Sequence, residues 1–445
     1  MPSPFEFEMR FGGGSRRRDD DDPMRLLVVG DFSGKPADQR PPLASRPTLR
    51  VDADNLDEVM RRLRPQLSLP AGEIRFDEID DFHPDRLYAR LDLFQTLRQA
   101  RTNPPSGSDA LLGRLLGKPA ESAAAPAVQP GTGLEALIER VVAPHIVKDT
   151  SEQTKTYVIA VDSATSEQMR ALLHHPAFQS LESAWRGVRW LIANLELDEH
   201  LQLHLFDATR DELLADFVSA RGQVAQTAVH DALIDRWRNV PGGQGWSALF
   251  ALIDFGPSDA SVGLLAALGL IAREAGAPLL AGAEWALAAD PAGSFAAWQA
   301  LRRSEVAPWI ALAAPRILLR LPYGKATDPI DAFAFEEFVG EPVHEEFLWG
   351  HASLAMALLI GRAFTANGWE MEPGDEREIG GLPVYTFVRD GVAEMQACGE
   401  RFLTEKQIDA LLRAGLVPIA SHRNRDVVVA IRFQSVSDPP APIAW

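Results

Sequence analysis

A run of branched apolar residues near the N-terminus, Arg25-Leu-Leu-Val-Val-Gly30, constrains the fold more than any other feature. Continuous apolar residues that end at a glycine are typical of a buried strand. Helical patterns follow at Val51–Arg64, entered through Asp or Asn, and at Phe82–Arg101, behind His83-Pro84. The first hundred residues therefore predict a small α/β unit.

The remainder of the chain mixes the two periodicities. Apolar spacings of three and four at Leu134–Val147, Ser166–Leu173 and Leu181–Ala193 predict helices, whereas Leu201–Phe206 and Val427–Phe433 have the pattern of strands. Such mixing indicates an α/β or α+β architecture. With 445 residues, of which 46% are hydrophobic, we expect a small N-terminal α/β unit linked to a larger mixed α/β domain.

The chain begins with an alternation of apolar and charged residues, Phe5, Glu6, Phe7, Glu8, Met9, Arg10 and Phe11. This pattern predicts a half-buried strand, and the glycines and charges that follow predict a flexible tether. Phe5, Phe7, Met9 and Phe11 form its apolar face. Such a strand either adds to another sheet, possibly that of another molecule, or folds back on its own domain, and the spacing does not decide between them.

Residues 102–133 have the composition of a linker, rich in Pro, Gly, Ser and Ala. Within it, Leu111, Leu112, Leu115 and Leu116 form a short amphipathic stretch, which is either a docking peptide or a linker helix. The sequence thus predicts four parts: an arm and tether at 1–23, a small domain at 24–101, the linker at 102–133 and a large domain at 134–445.

Composition excludes several functional classes. The net charge of −18 opposes nonspecific binding of nucleic acid and of anionic membrane surfaces. One cysteine, Cys398, allows no internal disulfide and no cysteine-based zinc site. The N-terminus lacks the pattern of a signal peptide, and the apolar stretches are too short to span a bilayer. We therefore expect a cytoplasmic protein.

Two glycine- and lysine-containing segments resemble phosphate-binding loops. Gly30–Lys35 follows a strand, but its spacing is one residue short, and Pro36 stands where the magnesium-binding Ser or Thr would be. Gly324-Lys325 lacks the preceding glycine and favours a turn. A nucleotide-binding enzyme that uses the Gly30–Lys35 loop remains an alternative of a different class.

The histidines give no metal site. His344 and His351 are separated by seven residues, where two zinc ligands on one helical face need four, so capping or core-edge positions are favoured. His174 and His175 precede Pro176 at an expected helix end. Surface acids are expected in so acidic a chain: Glu336, Glu337, Glu345 and Glu346. We predict no catalytic residue, no metal and no cofactor.

The amino-acid sequences of particular segments resemble those of a known family. Met24–Gly34, Val51–Met60 and Asp81–Leu87 are similar, in order, to the small sheath subunit of type VI secretion, TssB or VipA. From Leu173 onward the chain resembles the large subunit, TssC or VipB. The segments that carry this second resemblance are Leu173–Gly187, Pro241–Gly243, Ala275–Pro278, Ala314–Gly324, Phe335–Glu337, Phe347–Gly350, Gly380–Pro383 and Phe433–Ser435.

The resemblance implies a structural subunit of a contractile sheath around an inner tube, assembled head to tail with strands exchanged between neighbours. It implies as partners other sheath subunits, an Hcp-like inner-tube protein, a baseplate and a ClpV-type unfoldase, for which the leucine stretch at 111–116 occupies the expected position. The family's large subunit continues well past the motif that corresponds to Gln434-Ser435, whereas this sequence stops at Trp445. A capping or adaptor component that does not polymerise is therefore an alternative.

Overall fold

The structure is a computed structural model that describes residues 22–70, 72–102, 153–237, 243–289 and 295–445. The strands run in chain order as β1 Met24–Gly30, β2 Leu49–Val51, β3 Gln66–Leu69, β4 Gly72–Arg75, β5 Leu201–Asp207, β6 Ala248–Phe255, β7 Leu279–Ala283, β8 Ile310–Ala314, β9 Ile317–Leu318, β10 Trp349–Gly350, β11 Glu378–Ile379, β12 Thr386–Arg389, β13 Val392–Met395, β14 Val417–Ser421 and β15 Val428–Ala430.

The α-helices, in the same order, are α1 Leu56–Leu63, α2 Pro84–Arg90, α3 Asp92–Thr102, α4 Gln153–Leu173, α5 Pro176–Asn194, α6 Arg210–Ser219, α7 Ala228–His230, α8 Asp259–Ala275, α9 Ala286–Ala289, α10 Ala296–Arg302, α11 Ala352–Asn367 and α12 Glu405–Arg413. Local sequence explains both ends of α8. Ser258 caps the start of α8, and Gly276, with a positive φ of 66°, ends it.

The described residues form two compact units. The first combines residues from Met1–Pro65 with Ser180–Leu321 and Leu348–Trp445, and the second combines residues from Gln66–Gln179 with Pro322–Phe347. Each unit therefore combines residues that lie far apart in the sequence. The division of the sequence into four parts, at 1–23, 24–101, 102–133 and 134–445, stays a prediction.

A nine-stranded sheet in the order β11-β15-β14-β8-β7-β6-β1-β5-β2 forms the centre of the first unit. Its six middle strands, from β14 to β5, are parallel, and antiparallel strands lie at both edges. Every residue of β1, β7 and β8 is buried. Continuous apolar strands of this kind belong in a parallel sheet that is covered on both faces.

Helices cover the faces of this sheet. α8 packs on β6 and β7, and its buried residues join one core cluster with alternate residues of the strands, such as Leu249 and Ala251. The intervening residue Phe250 is buried too, and α11 packs along β6, β7 and β8. The mixed α/β class expected from the sequence is confirmed.

The second unit has a smaller core built on aromatic rings. It contains the β3–β4 hairpin, the helices α2, α3 and α4, and the irregular segment Pro322–Phe347. The rings of Phe76 and Phe82 stack 4.1 Å apart, and each meets the edge of Phe178. The single helix predicted at Phe82–Arg101 is wrong, because Leu91 takes an extended conformation between α2 and α3.

Candidate functional site

The loop after β1 lies at the carboxyl end of the parallel strands, which is where open α/β sheets commonly bind ligands. Here the backbone amides of the loop are already engaged. Asp207, the last residue of β5, accepts hydrogen bonds from Phe32 N at 2.8 Å and Ser33 N at 3.0 Å through Oδ1. Asp31 Oδ1 accepts from Gly34 N, and Lys35 Nζ donates to the Leu63 carbonyl.

Phosphate binding would require that these backbone amides and this lysine be free to donate hydrogen bonds. They are instead hydrogen-bonded to carboxylates and to a carbonyl. The negative charge of Asp207 at the centre of the loop would also repel an anion. The nucleotide-binding alternative for Gly30–Lys35 is therefore disfavoured.

Arginines from the N-terminal part of the chain complete this network. Arg40, with a side chain 1% exposed, pairs with Asp207 at 3.4 Å and with Asp31. Arg46 donates to the Asp207 carbonyl at 2.7 Å and makes a two-pronged contact with Glu212. Burial alone would raise the pKa of Glu212, but the hydrogen bonds from Arg46 and Thr209 hold it below its usual value.

Trp185 of α5 fixes the same loop through packing. Its indole N–H donates to the Phe32 carbonyl at 2.8 Å, and the two rings meet edge to face at 5.5 Å. Both side chains are fully buried. A large aromatic of this kind both fills the core and satisfies a buried carbonyl.

In the second unit, the segment Pro322–Phe347 also contacts the N-terminal part of the chain, through hydrogen bonds and aromatic rings. Asp85 accepts hydrogen bonds from the backbone amides of Asp331 and Ala332. The ring of Phe333 packs 4.7 Å from that of Tyr88, and His83 meets Tyr323 edge to face. These contacts join residues that are some 250 positions apart in sequence.

Residues 22–102, here called the N-terminal segment, thus contact residues 153–445, the C-terminal segment, within each unit. In the first unit, β1 lies between β5 and β6, with Leu26 in register with Leu203 on one side and Ala248 on the other. We take this intramolecular joint as the candidate functional site. A central strand cannot be removed without exposing the ladder groups of both neighbours.

The histidines of the zinc-like motif have structural contacts. His351 caps α11, its Nδ1 accepting from Ser353 N, and its Nε2 lies 3.2 Å from Asp254. Ser353 Oγ lies 2.7 Å from His351 Nδ1, but Ser353 is fully buried, so this Ser-His-Asp chain has no accessible nucleophile. The predicted capping position of His351 is confirmed, and His344 lies on a short 3₁₀ turn.

The helix end expected at His174-His175-Pro176 is confirmed, since α4 ends at Leu173 and α5 begins at Pro176. His175 Nδ1 accepts from Ala177 N at the start of α5, and His174 lies between Glu337 and Glu346.

The surface position predicted for the acids near it is wrong for Glu337, which is 1% exposed. Glu337 is buried and accepts from Tyr323 N, and Glu336 accepts from Lys325 N in the turn predicted at Gly324-Lys325. Glu345 offers its backbone carbonyl to Gln179.

Within the described ranges, no group of three His, Cys, Asp or Glu side chains is placed to hold a metal ion. No helix among the same residues is long and apolar enough to cross a bilayer. Cys398 is buried, and burial raises the pKa of its thiol to about 11. The predicted strand Phe5, Phe7, Met9 and Phe11 and the leucines Leu111, Leu112, Leu115 and Leu116 lie outside the described residues.

Sequence reasoning did not find the joint itself. The sequence offers two signals for it, an acid at the end of a strand, Asp207, and an aromatic in an apolar helix, Trp185. Neither signal reveals a partner 153 or 175 residues away in the sequence.

Known proteins resemble the two segments separately. A family model of the VipB tail sheath N-terminal domain matches residues 155–292 and 287–437, and a model of the type VI secretion protein VipA matches residues 6–106. The sheath protein TssC1 of Pseudomonas aeruginosa is 30% identical over 330 residues, which cover 67% of this chain and 66% of TssC1.

The sheath protein TssB1 of the same organism is 31% identical over 91 residues, which cover 18% of this chain and 53% of TssB1. This chain therefore spans just under two thirds of the first relative and about half of the second. The VipB model covers well over half of the chain, and the VipA model covers the segment that contributes β1. The chain belongs to the VipB tail sheath family of type VI secretion proteins and carries a VipA-type segment at its N-terminus.

Proposed function

We propose that this chain is a structural subunit of a type VI secretion contractile sheath, in which one polypeptide supplies both the VipA-type and the VipB-type parts. The observation that carries the proposal is the position of β1, a strand of the VipA-type segment, between two strands of the VipB-type segment. A joint of this kind holds the two parts in one body that can serve as a repeating unit.

The work of such a subunit is mechanical. Head-to-tail contacts that do not close generate a helical filament, and the surfaces of the chain carry the function without catalytic groups. The partners under this proposal are other copies or other sheath subunits, an Hcp-like inner tube and a baseplate, in the cytoplasm. The engaged amides of the Gly30–Lys35 loop support a non-enzymatic role.

Two segments outside the described residues have proposed contacts. Phe5, Phe7, Met9 and Phe11 donate a strand to the sheet of a neighbouring subunit, which their alternation with charged residues supports. Leu111, Leu112, Leu115 and Leu116 dock a ClpV-type unfoldase after contraction, which their amphipathic spacing supports.

Electron microscopy of the purified full chain, alone and mixed with an inner-tube protein, tests the proposal. We expect helical tubes or tube fragments, and we expect deletion of Met1–Phe11 to leave a folded protein that no longer assembles. Monomers in every mixture would instead support a capping or adaptor role. Saturable thermal stabilisation by ATP or GTP would contradict the non-enzymatic reading.

A further inference from the structure

An arginine-rich surface lies at the end of β14 in the first unit. Gly399 N donates to Ser421 Oγ at 2.7 Å, and Cys398 Sγ lies 3.5 Å from the carbonyl oxygen of Arg425. These two contacts hold residues 399–402 beside the turn that follows β14. They bring together four exposed residues, here called the arginine patch: Arg401, Phe402, Arg423 and Arg425.

Two arginines of the patch contact aromatic rings. Arg423 Cζ lies 5.6 Å from the centre of the Phe402 ring, and Arg401 Cζ lies 5.5 Å from the centre of the Trp285 ring. A guanidinium over a ring is attracted to it and keeps its N–H groups available for hydrogen bonds. Phe402 is itself 37% exposed. Because arginine and aromatic side chains are enriched at protein–protein interfaces, the patch has the composition of a protein-binding surface.

The acids beside the patch do not neutralise it. Glu400 is held by Arg316 through hydrogen bonds of 2.8 and 3.0 Å. Asp426 accepts a hydrogen bond from Gly381 N and is the remaining acid next to three arginines. In the part of the chain that the structure describes, these three arginines form no ion pair. The patch is therefore locally positive in a chain of net charge −18, and electrostatic complementarity requires an acidic partner.

The second unit contains an exposed loop that is fixed at both ends. The rings of Phe338 and Phe347 meet edge to face at 4.8 Å. The carbonyl of Glu345 accepts a hydrogen bond from Gln179 Nε2 at 3.0 Å. The residues between the two rings, 339–345, are here called the acidic loop.

Acidic and apolar side chains alternate at every second residue of the acidic loop. Glu341 and Glu345 are exposed. Val339 is 72% exposed and Val343 is 50% exposed, which is unusual for apolar side chains unless a partner covers them. The loop therefore offers two carboxylates and two apolar side chains, where the arginine patch offers three guanidiniums and an exposed ring.

We propose that the arginine patch of one copy binds the acidic loop of a second copy. The loop carboxylates pair with the arginines, and the two valines pack on Phe402. Because the two surfaces differ, the contact is heterologous, and every copy has one surface of each kind with which to continue the chain of contacts. This inference rests on the proposed function and names one of its head-to-tail contacts.

Charge reversal in two separate full-length chains tests the contact. One chain carries Arg423→Glu, and the other carries Glu345→Arg. Each variant alone places like charges opposite each other in every contact, so we expect its self-association, measured by sedimentation velocity, to weaken at least about ten-fold. In an equal mixture, each patch meets a loop of opposite charge on the other variant. We therefore expect the mixture to associate within about three-fold of the wild type.

The matched control is Arg62→Glu, which makes the same charge change at an exposed position of α1. This helix packs beside β2, at the opposite edge of the nine-stranded sheet from β14 and β15. We expect its self-association to stay within about two-fold of the wild type, since an exposed charge outside the contact has little effect. Thermal unfolding checks that each variant is folded.

Folded single variants that associate as tightly as the wild type would overturn the inference. So would an equal mixture that associates as weakly as either variant alone. Tubes formed alike by the wild type and by both variants would overturn this contact and leave the sheath function standing. Restored association in the mixture, without tubes under any condition, would support the contact and contradict the sheath function. Wild-type chains that stay monomeric in every mixture would contradict both.

Discussion

The indole N–H of Trp185 donates a 2.8 Å hydrogen bond to the carbonyl oxygen of Phe32, and the two rings meet edge to face. Phe32 belongs to the segment that matches VipA, and Trp185 belongs to the segment that matches VipB. The side chains are both fully buried, so this contact holds the two segments together in a site that water does not reach.

Trp185→Phe keeps a ring in place but removes the N–H, which leaves the Phe32 carbonyl buried without that donor. A buried unsatisfied acceptor costs about 1 to 3 kcal/mol, and we expect a loss of about 2 kcal/mol in the free energy of unfolding by urea titration. Trp190→Phe on the same helix, at a half-buried position, is the control, with an expected loss below about 1 kcal/mol. Equal losses in the two variants would argue against the role of the hydrogen bond.

Asp207→Asn removes the charge that faces Arg40 in the carboxyl-end network. Arg40 is 1% exposed at its side chain, so the variant leaves a buried guanidinium with less compensation. Breaking a buried ion pair typically costs about 3 to 5 kcal/mol, and we expect about 3 kcal/mol by chemical unfolding because Asp31 also contacts Arg40.

The control for Asp207→Asn is Arg75→Met, which breaks an exposed pair with Glu73 and should cost less than about 1 kcal/mol. If Asp207→Asn reduced the free energy of unfolding no more than this control does, the charged network would not contribute to the stability of the fold.

Part of this fold could be predicted from the sequence. The apolar run at Arg25–Gly30 is a strand, and the turn at Gly324-Lys325 and the cap at His351 are where local chemistry predicts them. These features depend on neighbouring residues in the sequence. The local sequence patterns were therefore sufficient to predict these features.

The joint could not be predicted in this way. The continuous apolar run of β1 predicts that the strand is buried but does not identify β5 and β6 as its neighbours, since any apolar parallel strand has the same pattern. The break at Leu91 was also missed, because an isolated extended residue between two helical patterns leaves no periodic signal.

His204 should make the stability of the protein depend on pH. Burial, with the charges of Arg25 and Arg50, lowers the pKa of His204 from 6.5 to about 3. The unfolded chain therefore binds a proton that the folded chain excludes between these values, and stability falls as pH decreases through this window. At pH 5 this residue should cost about 2 kcal/mol relative to pH 7.5.

His204→Phe keeps a ring beside Trp237 and Trp246 and removes the titration. Urea unfolding at pH 7.5 and 5.0 should show a smaller pH-dependent loss in this variant than in the wild type. An identical loss in both proteins would exclude His204 as the cause.

Gly282 allows Asp254 and His351 to approach each other over the end of β7. A Cβ added at this position would lie 1.9 Å from Asp254 Oδ1 and 2.7 Å from His351 Nε2. Gly282→Ala should therefore displace the pair and cost about 2 kcal/mol, as over-packing usually does.

Thermal unfolding compares that variant with Gly245→Ala, whose Cβ would meet the Ala275 carbonyl at 3.9 Å, an ordinary contact distance. A Tm for Gly282→Ala equal to that of the control would show that the close approach has no energetic weight.

The central claim is that the VipA-type and VipB-type segments are held together by the position of β1 between β5 and β6. A protease site inserted after Gly117 permits the chain to be cut between the segments after it has folded, and size-exclusion chromatography then follows the products. We predict that the two pieces elute together in equal amounts at the volume of the uncut chain and separate only in denaturant. Separate elution of a folded C-terminal piece and a free N-terminal piece under native conditions would contradict the claim.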